Sequence, residues 1–173
     1  MSDNISVLIS EDEIGKRVQE IAAQIDKDYE GRNVRLICIL KGSVFITTEL
    51  AKRITRPVTL DFMSVSSYEG GTVSTGRVRI IKDLDESIEG EDVIVVEDII
   101  DTGRTLHYLL DMLASRKPNS LKLCALLDKP DRRVTDVKVD YVGFTIPDKF
   151  VVGFGMDYDQ KYRNLPYIGV IEN

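Results

Sequence analysis

The sequence has little of several features that mark whole classes of protein. Its two cysteines, Cys38 and Cys124, lie in separate apolar runs without metal-ligand spacing, so we expect two buried free thiols. No apolar run approaches the roughly twenty residues that span a bilayer. The first ten residues also lack the charged and apolar regions of a signal peptide. These absences predict a cytoplasmic protein with no membrane partner.

Acidic residues outnumber basic ones. Lysine and arginine number 23 against 29 aspartate and glutamate, which gives a net charge of −6. A general nucleic-acid binder is basic, so we expect no nucleic-acid partner. The motif G-x-x-x-x-G-K-[ST] is absent from the sequence, which excludes a P-loop nucleotide-binding enzyme. With 173 residues, of which 43% are hydrophobic, the simplest organisation is a single domain over residues 1–173.

The stretch VIVVEDIIDTGRTL, at residues 93–106, carries most of the prediction. Its first four residues, Val93 to Val96, are β-branched and uninterrupted, as in a strand buried on both faces of a parallel sheet. Glu97 and Asp98 follow at the carboxyl end of this strand, where open α/β sheets bind ligands. A helix is predicted from about Thr105 to Arg116.

The turn between that strand and that helix has the composition of a phosphate-binding loop. It consists of Asp101, Thr102, Gly103, Arg104 and Thr105. Glycine permits close backbone approach, and a helix start offers unpaired N–H groups and partial positive charge. The acidic pair before the loop suits ribose hydroxyls, because an ionised carboxylate only accepts hydrogen bonds. The stretch therefore predicts a sugar-phosphate site; the alternative is an ordinary βα unit with a polar turn.

VVEDIIDTGRTL resembles the phosphoribosyl pyrophosphate (PRPP) motif of type I phosphoribosyltransferases. Further motifs narrow the resemblance, which runs from about Val7 to Ile171, to the bacterial hypoxanthine–guanine phosphoribosyltransferase family. The resemblance implies an α/β fold with a mainly parallel sheet flanked by helices. The core would span about 11–144, and a small hood would be built from about 1–10 and 145–173. It also implies Mg²⁺ as cofactor and a homodimer or homotetramer.

The resemblance assigns roles to the central stretch. Glu97 and Asp98 would hold the ribose diol and the metal's shell, and Asp101 would accept the proton from N7 of the purine. The loop backbone, with both threonine hydroxyls, would hold the 5′-phosphate. The residues implied for PRPP binding are Glu97, Asp98, Asp101, Thr102, Gly103, Arg104 and Thr105. The family often has lysine where this chain has Arg104, and both side chains are cations.

A second loop follows a predicted strand at 34–40. Its residues Leu40, Lys41 and Gly42 resemble the family's pyrophosphate loop, in which the Leu40–Lys41 peptide is expected to be cis. A non-proline cis bond is costly, so it would be kept for aiming N–H groups at a pyrophosphate. From the residues alone, the alternative is a βα turn with an exposed lysine.

A stretch rich in glycine and hydroxyl residues follows the next predicted strand, at 66–76. Its residues Ser67 and Tyr68 resemble the serine–tyrosine pair on the family's lid, which closes over the reaction centre and excludes water. The alternative is a solvated hairpin loop.

The purine site is implied by residues in the last third of the chain. Lys129 resembles the donor to the purine 6-oxo group, and Phe150 and Val151 resemble the residues that stack on the base and contact its edge. Asp157 would complete this pocket and help to hold a second Mg²⁺, and Arg163 would contact pyrophosphate. From the residues alone, a surface lysine and a core phenylalanine are the alternatives.

The resemblance implies purine salvage, in which a 5-phosphoribosyl group passes from PRPP to hypoxanthine or guanine. The products would be IMP or GMP and pyrophosphate. A PRPP-sensing regulatory protein on the same fold and a xanthine-preferring transferase remain alternatives, whereas Lys129 argues against adenine.

His107, the only histidine, is expected to lie too far past the phosphate loop for catalysis. The segment 131–133 is predicted to be a solvated turn.

Overall fold

A computed structural model gives the fold and describes residues 4–67 and 78–172. Helices and strands alternate through most of the chain. In order they are β1 (Asn4–Ile9), α1 (Glu11–Asp28), β2 (Val34–Ile39), α2 (Val44–Arg53), β3 (Val58–Ser67), β4 (Val78–Lys82), β5 (Asp92–Ile100), α3 (Arg104–Ala114), β6 (Ser120–Asp128), a 3₁₀ turn (Pro130–Arg132), β7 (Tyr141–Thr145), β8 (Val151–Val152) and β9 (Ile168–Glu172).

The larger sheet has six strands in the order β4-β3-β2-β5-β6-β7. All neighbours are parallel except β3 and β4, which are antiparallel. The chain builds outward from β2 to β3 and β4, then returns to place β5 on the other side of β2. The loops after β2 and β5 therefore diverge and leave a crevice at the carboxyl ends of these strands. The predicted mainly parallel α/β fold is confirmed.

Strand β5 is buried on both faces, as its β-branched run predicts. Ile94 and Val96 pack in the core formed with α1 and α2, whereas Val93 and Val95 pack in the core formed with α3. Because successive side chains of a strand point to opposite faces, helices on both sides require an apolar residue at every position.

The acidic pair lies inside β5 and not after it, so the expected strand end is wrong. The strand runs to Ile100 because its ladder with β6 continues through Ile99–Leu127 and Ile100–Asp128. Helix α3 starts at Arg104 and ends at Ala114, slightly earlier at both ends than predicted. The acidic side chains therefore sit on rigid backbone, three residues before the phosphate loop.

A second sheet of three antiparallel strands, in the order β1-β9-β8, forms the predicted hood. It joins the two ends of the chain, and its side chains Val151, Phe154 and Ile168 share one core with α1 and α2.

Both cysteines are buried free thiols, as expected. Among the described residues, no helix has the length and apolar character needed to cross a membrane.

The start of α1 yields a stability prediction. The Ser10 hydroxyl accepts a hydrogen bond from the Glu13 N–H (3.2 Å), and the Glu13 carboxylate accepts one from the Ser10 N–H (2.8 Å). Removing such a cap typically costs ~1 kcal/mol. We expect Ser10→Ala to lower the free energy of unfolding by about this amount in urea titrations. Gln19→Ala, at an exposed position within the same helix, should change it by less than about 0.5 kcal/mol. Equal effects of the two variants would contradict the capping role.

Candidate active site

The phosphate loop is held from behind by the segment that follows β6. The N–H groups of Val134 and Thr135 donate to the carbonyl of Thr102, at 2.9 and 3.1 Å. Gly103 has φ +83°, and a Cβ there would lie 2.5 Å from the Thr135 carbonyl oxygen. Glycine is therefore required at this position for both its backbone conformation and its lack of a side chain.

Arg133 adds a second anchor to the same loop. Its Nε donates to the Asp101 carbonyl at 3.2 Å, and its Nη2 pairs with the Asp128 carboxylate. Arg132 pairs through Nε with the Asp101 carboxylate at 2.8 Å. The predicted solvated turn is confirmed for Arg132, whose side chain is 48% exposed, whereas the Arg133 side chain is only 18% exposed. Sequence reasoning missed the contacts of both arginines with Asp101, because Asp101 lies about 30 residues away along the chain.

A cavity of about 220 Å³ opens in front of this loop. Its lining residues are Glu97, Ile99, Ile100, Asp101, Thr102, Gly103, Thr105 and Leu106. Five of the residues predicted to bind PRPP thus face one space, while Arg104 begins α3. The Ser67 hydroxyl lies 3.2 Å from the Thr105 hydroxyl, so the end of β3 reaches the loop. Tyr68 lies outside the described residues.

Glu97 and Asp98 form a half-buried acidic pair beside this cavity. Burial raises the pKa of Glu97 well above its usual value, and the neighbouring charge of Asp98 adds to the effect. Burial also raises the pKa of Asp98, although the Ile99 N–H donates to its carboxylate at 2.7 Å. Two adjacent carboxylates in such a place favour a bound cation.

The donor set fits Mg²⁺, which usually binds one or two carboxylates together with substrate oxygens and water. Among the described residues, no three histidine, cysteine, aspartate or glutamate side chains gather into one metal-binding group. Asp157 therefore does not join the acidic pair: it pairs with Arg163 at 3.0 Å and accepts from the Gln160 N–H at 2.9 Å. Its role at a second Mg²⁺ stays a prediction.

The predicted pyrophosphate loop lies directly against the acidic pair. The Leu40–Lys41 peptide is cis, as expected. A Cβ on Gly42 would lie 1.8 Å from the Asp98 Oδ2 atom, and a Cβ on Gly155 would lie 2.0 Å from the Gly42 carbonyl oxygen. Glycine at both positions thus lets the loop after β2, the strand β5 and the hood meet without intervening side chains.

Gln160 links the hood to this loop. Arg163, which also pairs with Asp157, contacts the Gly155 carbonyl through Nη1 at 2.7 Å and the Gln160 side-chain oxygen through Nη2 at 3.2 Å. Lys41 donates to the same Gln160 oxygen at 3.2 Å. Both predicted pyrophosphate cations are therefore joined by Gln160, a residue that carries no motif of its own and that sequence reasoning missed.

A second cavity, of about 190 Å³, lies between the hood and the sheet edge. Its lining residues are Asp98, Ile99, Asp101, Lys129, Phe150, Val151, Met156 and Asp157. All four residues predicted for the purine site are among them, together with Met156, which was missed because nothing distinguishes it from a core residue. Phe150 is 57% exposed and its ring meets Tyr158 edge-on, with centroids 5.7 Å apart. Lys129 is buried and faces Asp148 at 3.6 Å.

Asp101 lines both cavities, so it stands where the contents of the two would meet. One cavity is built on a loop suited to phosphate, and the other has an exposed ring and a buried lysine suited to a flat, oxygen-bearing base. The phosphoribosyl transferase domain family matches residues 9–159 of the chain. The chain belongs to the phosphoribosyltransferase family.

Similar proteins agree with this assignment. The phosphoribosyltransferase is 54% identical to the hypoxanthine-guanine phosphoribosyltransferase of Streptococcus thermophilus, over 96% of this chain and 92% of that protein. A crystal structure of a hypoxanthine-guanine phosphoribosyltransferase from Bacillus anthracis superposes with a TM-score of 0.94 at 48% identity, covering 99% and 100% of the two chains. A hypoxanthine phosphoribosyltransferase from Staphylococcus aureus gives 0.93 at 52% identity, covering 96% and 91%.

His107 takes no part in this site, as expected. It is exposed on α3, with Nε2 3.5 Å from Asp111, and it lines a separate cavity of about 560 Å³ between α3 and β6. That cavity is larger than either cavity of the phosphoribosyltransferase site. Size alone therefore does not mark the site in this protein; the loop chemistry and the converging charges do.

Gly103→Ala tests the phosphate loop. Gly90→Ala is the matched control, because Gly90 has a similar φ of +73° but no atom within 4 Å of an added Cβ. Both variants should lose stability through backbone strain, about 1 kcal/mol in Gly90→Ala and more in Gly103→Ala, where the added Cβ also meets the Thr135 carbonyl. Only Gly103→Ala should raise the KM for PRPP, by about tenfold or more, equivalent to roughly one lost charge-assisted hydrogen bond. Equal KM values for the two variants in steady-state assays would remove the loop from phosphate binding.

Proposed function

We propose that this phosphoribosyltransferase carries out purine salvage. It transfers the 5-phosphoribosyl group of PRPP to hypoxanthine or guanine and releases IMP or GMP and pyrophosphate. The observation that carries this proposal is that Asp101 lies between a cavity with a phosphate-binding loop and a cavity with Lys129 and Phe150 in its wall. The similar proteins named for hypoxanthine and guanine support the same reaction.

The base cavity favours an enzyme over a PRPP-sensing regulator. A sensor needs the phosphate loop but has no use for a buried lysine and an exposed ring facing the same space. Lysine only donates hydrogen bonds, so it suits the 6-oxo oxygen of hypoxanthine or guanine and not the 6-amino group of adenine. Xanthine shares the 6-oxo group, so the experiment below must distinguish it from hypoxanthine and guanine as a substrate.

The proposed site first positions the sugar. The loop from Asp101 to Thr105 holds the 5′-phosphate through its N–H groups and two hydroxyls, and the start of α3 adds partial positive charge. Glu97 and Asp98 accept hydrogen bonds from the ribose diol. Their negative charge also suits the positive character that develops on the ribose as pyrophosphate leaves.

Charges on the other side of the acidic pair receive the leaving group. Lys41 and Arg163 supply cations at the pyrophosphate loop, and the forked guanidinium can contact two phosphate oxygens. Mg²⁺, which we propose as the cofactor held by Glu97 and Asp98, would neutralise charge on pyrophosphate and ribose oxygens when bound. Asp157 already pairs with Arg163, so it holds the arginine toward this side of the site.

The base is held and deprotonated in the second cavity. Phe150 stacks on its face, the Val151 backbone meets its edge, and Lys129 donates to the 6-oxo oxygen. N9 attacks the ribose C1 with its own lone pair as the bond from C1 to pyrophosphate breaks, and Asp101 accepts the N7 proton, so no positive charge is left on the purine. We propose that Ser67 and Tyr68 belong to a lid that closes over this step and excludes water.

Several further properties stay predictions. We propose that residues 1–173 act as one domain, since hood and helix side chains share a core. A homodimer or homotetramer is expected from the family resemblance. The cysteine usage and the net charge of the sequence are the basis for expecting a cytoplasmic location with no nucleic-acid or membrane partner.

A panel of bases tests the proposed function. Nucleotide formation would be measured from PRPP and Mg²⁺ with hypoxanthine, guanine, xanthine, adenine and uracil. We expect turnover with hypoxanthine and guanine, and its loss when a chelator removes the metal. Turnover with xanthine alone would support the proposed mechanism but would change the substrate base from hypoxanthine or guanine to xanthine. Protein that binds PRPP but turns over no base would overturn the enzyme and favour the sensor.

Asp101→Asn tests the general base. The substitution keeps the shape of the side chain but removes its ability to take a proton, so kcat should fall about 10²–10⁴-fold while the fold persists. Asp111→Asn, an exposed position on α3, is the control and should leave kcat unchanged. Wild-type kcat in Asp101→Asn would leave Asp101 with a role in phosphate binding only.

A further inference from the structure

Four charged side chains form a continuous link behind the base cavity. Lys129 Nζ lies 3.6 Å from Asp148 Oδ1, Asp148 Oδ2 lies 3.4 Å from Arg132 Nη1, and Arg132 Nε lies 2.8 Å from Asp101 Oδ1. The two ends of the link, Lys129 and Asp101, line the cavity, whereas its two middle members are absent from the lining. The link therefore joins two residues of the site from outside it.

The two ends have complementary chemistry on one side of a purine. N7 and the 6-oxo oxygen lie next to each other on the same edge of a 6-oxopurine. In the reacting base, N7 carries a proton and the oxygen accepts, so this edge offers a donor beside an acceptor. Asp101 can meet the first and Lys129 the second, but only if the two side chains keep a set spacing.

We propose that Arg132, together with Asp148, is a positioning residue that holds Asp101 and Lys129 at the spacing of N7 and the 6-oxo oxygen. This inference rests on the proposed function. The planar guanidinium suits the task, because its Nε and Nη1 atoms point at two carboxylates in a fixed geometry. With Oδ1 of Asp101 held by Arg132, Oδ2 is the oxygen left to accept the proton.

Arg132 acts on the Asp101 side chain and not on the phosphate loop. The Asp101 backbone has its own anchor, since Arg133 Nε donates to its carbonyl at 3.2 Å. Loss of Arg132 should therefore release the carboxylate while the loop stays in place. This separates the effect on the base from the effect on PRPP.

An ordinary surface network is the competing explanation. The side chains of Arg132, Asp101 and Asp148 are 48%, 49% and 49% exposed, and exposed ion pairs contribute little to stability. A positioning role does not depend on that contribution, because a displacement of about 1 Å in a reacting group can cost about 10²-fold in rate. Lys129, at 8% exposure, supplies a fixed end for the link.

Kinetics of Arg132→Ala and Asp148→Asn test the link. We expect kcat/KM for hypoxanthine to fall about ten- to a hundredfold in both, with the KM for PRPP within about twofold of wild type. Arg132→Lys should be intermediate, because an ammonium keeps the charge but not the fork. Arg116→Gln breaks a comparable arginine–aspartate pair (Arg116 to Asp83, 2.8 Å) elsewhere on the surface and should change neither constant.

The double variant separates a link from two independent surface effects. If Arg132 and Asp148 act through one connection, Arg132→Ala with Asp148→Asn should be no more than about twofold worse than either single variant. Three outcomes would each overturn the inference. The losses in kcat/KM of the two single variants could multiply in the double variant, the losses could be equal for hypoxanthine and PRPP, or Arg132→Ala could show wild-type kinetics.

Binding of an unreactive base gives a readout that does not need turnover. 9-Deazahypoxanthine keeps the N7 proton and the 6-oxo oxygen but has carbon in place of the attacking N9. Calorimetry in the presence of PRPP should show about tenfold weaker binding to Arg132→Ala than to wild type. If Arg132→Ala binds 9-deazahypoxanthine more weakly but the wild-type protein turns over no base, the proposed reaction is overturned and the link is retained. Unchanged binding together with normal wild-type turnover would overturn the link alone.

Discussion

The close approach of Asp98 to the backbone of Gly42 is the constraint on which the site depends. It places the half-buried carboxylate of Asp98, which follows Glu97 in the chain, against the loop of the neighbouring strand, with no side chain between them. Burial of this charge is unfavourable unless cations or hydroxyl donors compensate it. The surrounding residues supply such partners: Lys41 and Arg163 lie on one side, and the phosphate loop lies on the other.

The division of the site into two cavities follows from how β5 ends. The strand carries its acidic pair on rigid backbone and continues for two residues, Ile99 and Ile100, before the turn that contains Gly103. Asp101 consequently projects where the phosphate side and the base side meet. The segment after β6 contributes to both cavities, because Val134 and Thr135 bind the predicted phosphate loop while Lys129 lines the other cavity. One short stretch thereby links the walls of the two cavities.

Local patterns made much of the fold and the centre of the site predictable. The β-branched run from Val93 indicated a strand covered on both faces, because that pattern depends only on neighbours within a few residues. The Ser67–Thr105 contact, the Gln160 bridge and the anchoring by Arg132 and Arg133 were not predictable. Each joins residues tens of positions apart, and an arginine or glutamine on a polar segment reads as solvated until its partner is known.

Local sequence patterns were enough to establish which residue types meet the chemistry: an acidic pair, a glycine-containing hydroxyl loop, and a lysine at the end of a strand. Their order along the chain follows from the alternation of strands and helices, which is a local property. Tertiary packing, in contrast, brings the Gly42 backbone against the Asp98 side chain and against the Gly155 backbone. It also decided that Asp101 and Lys129 share one cavity and one ionic link. Such distances depend on strand register and on the packing of the hood, and no local pattern encodes either.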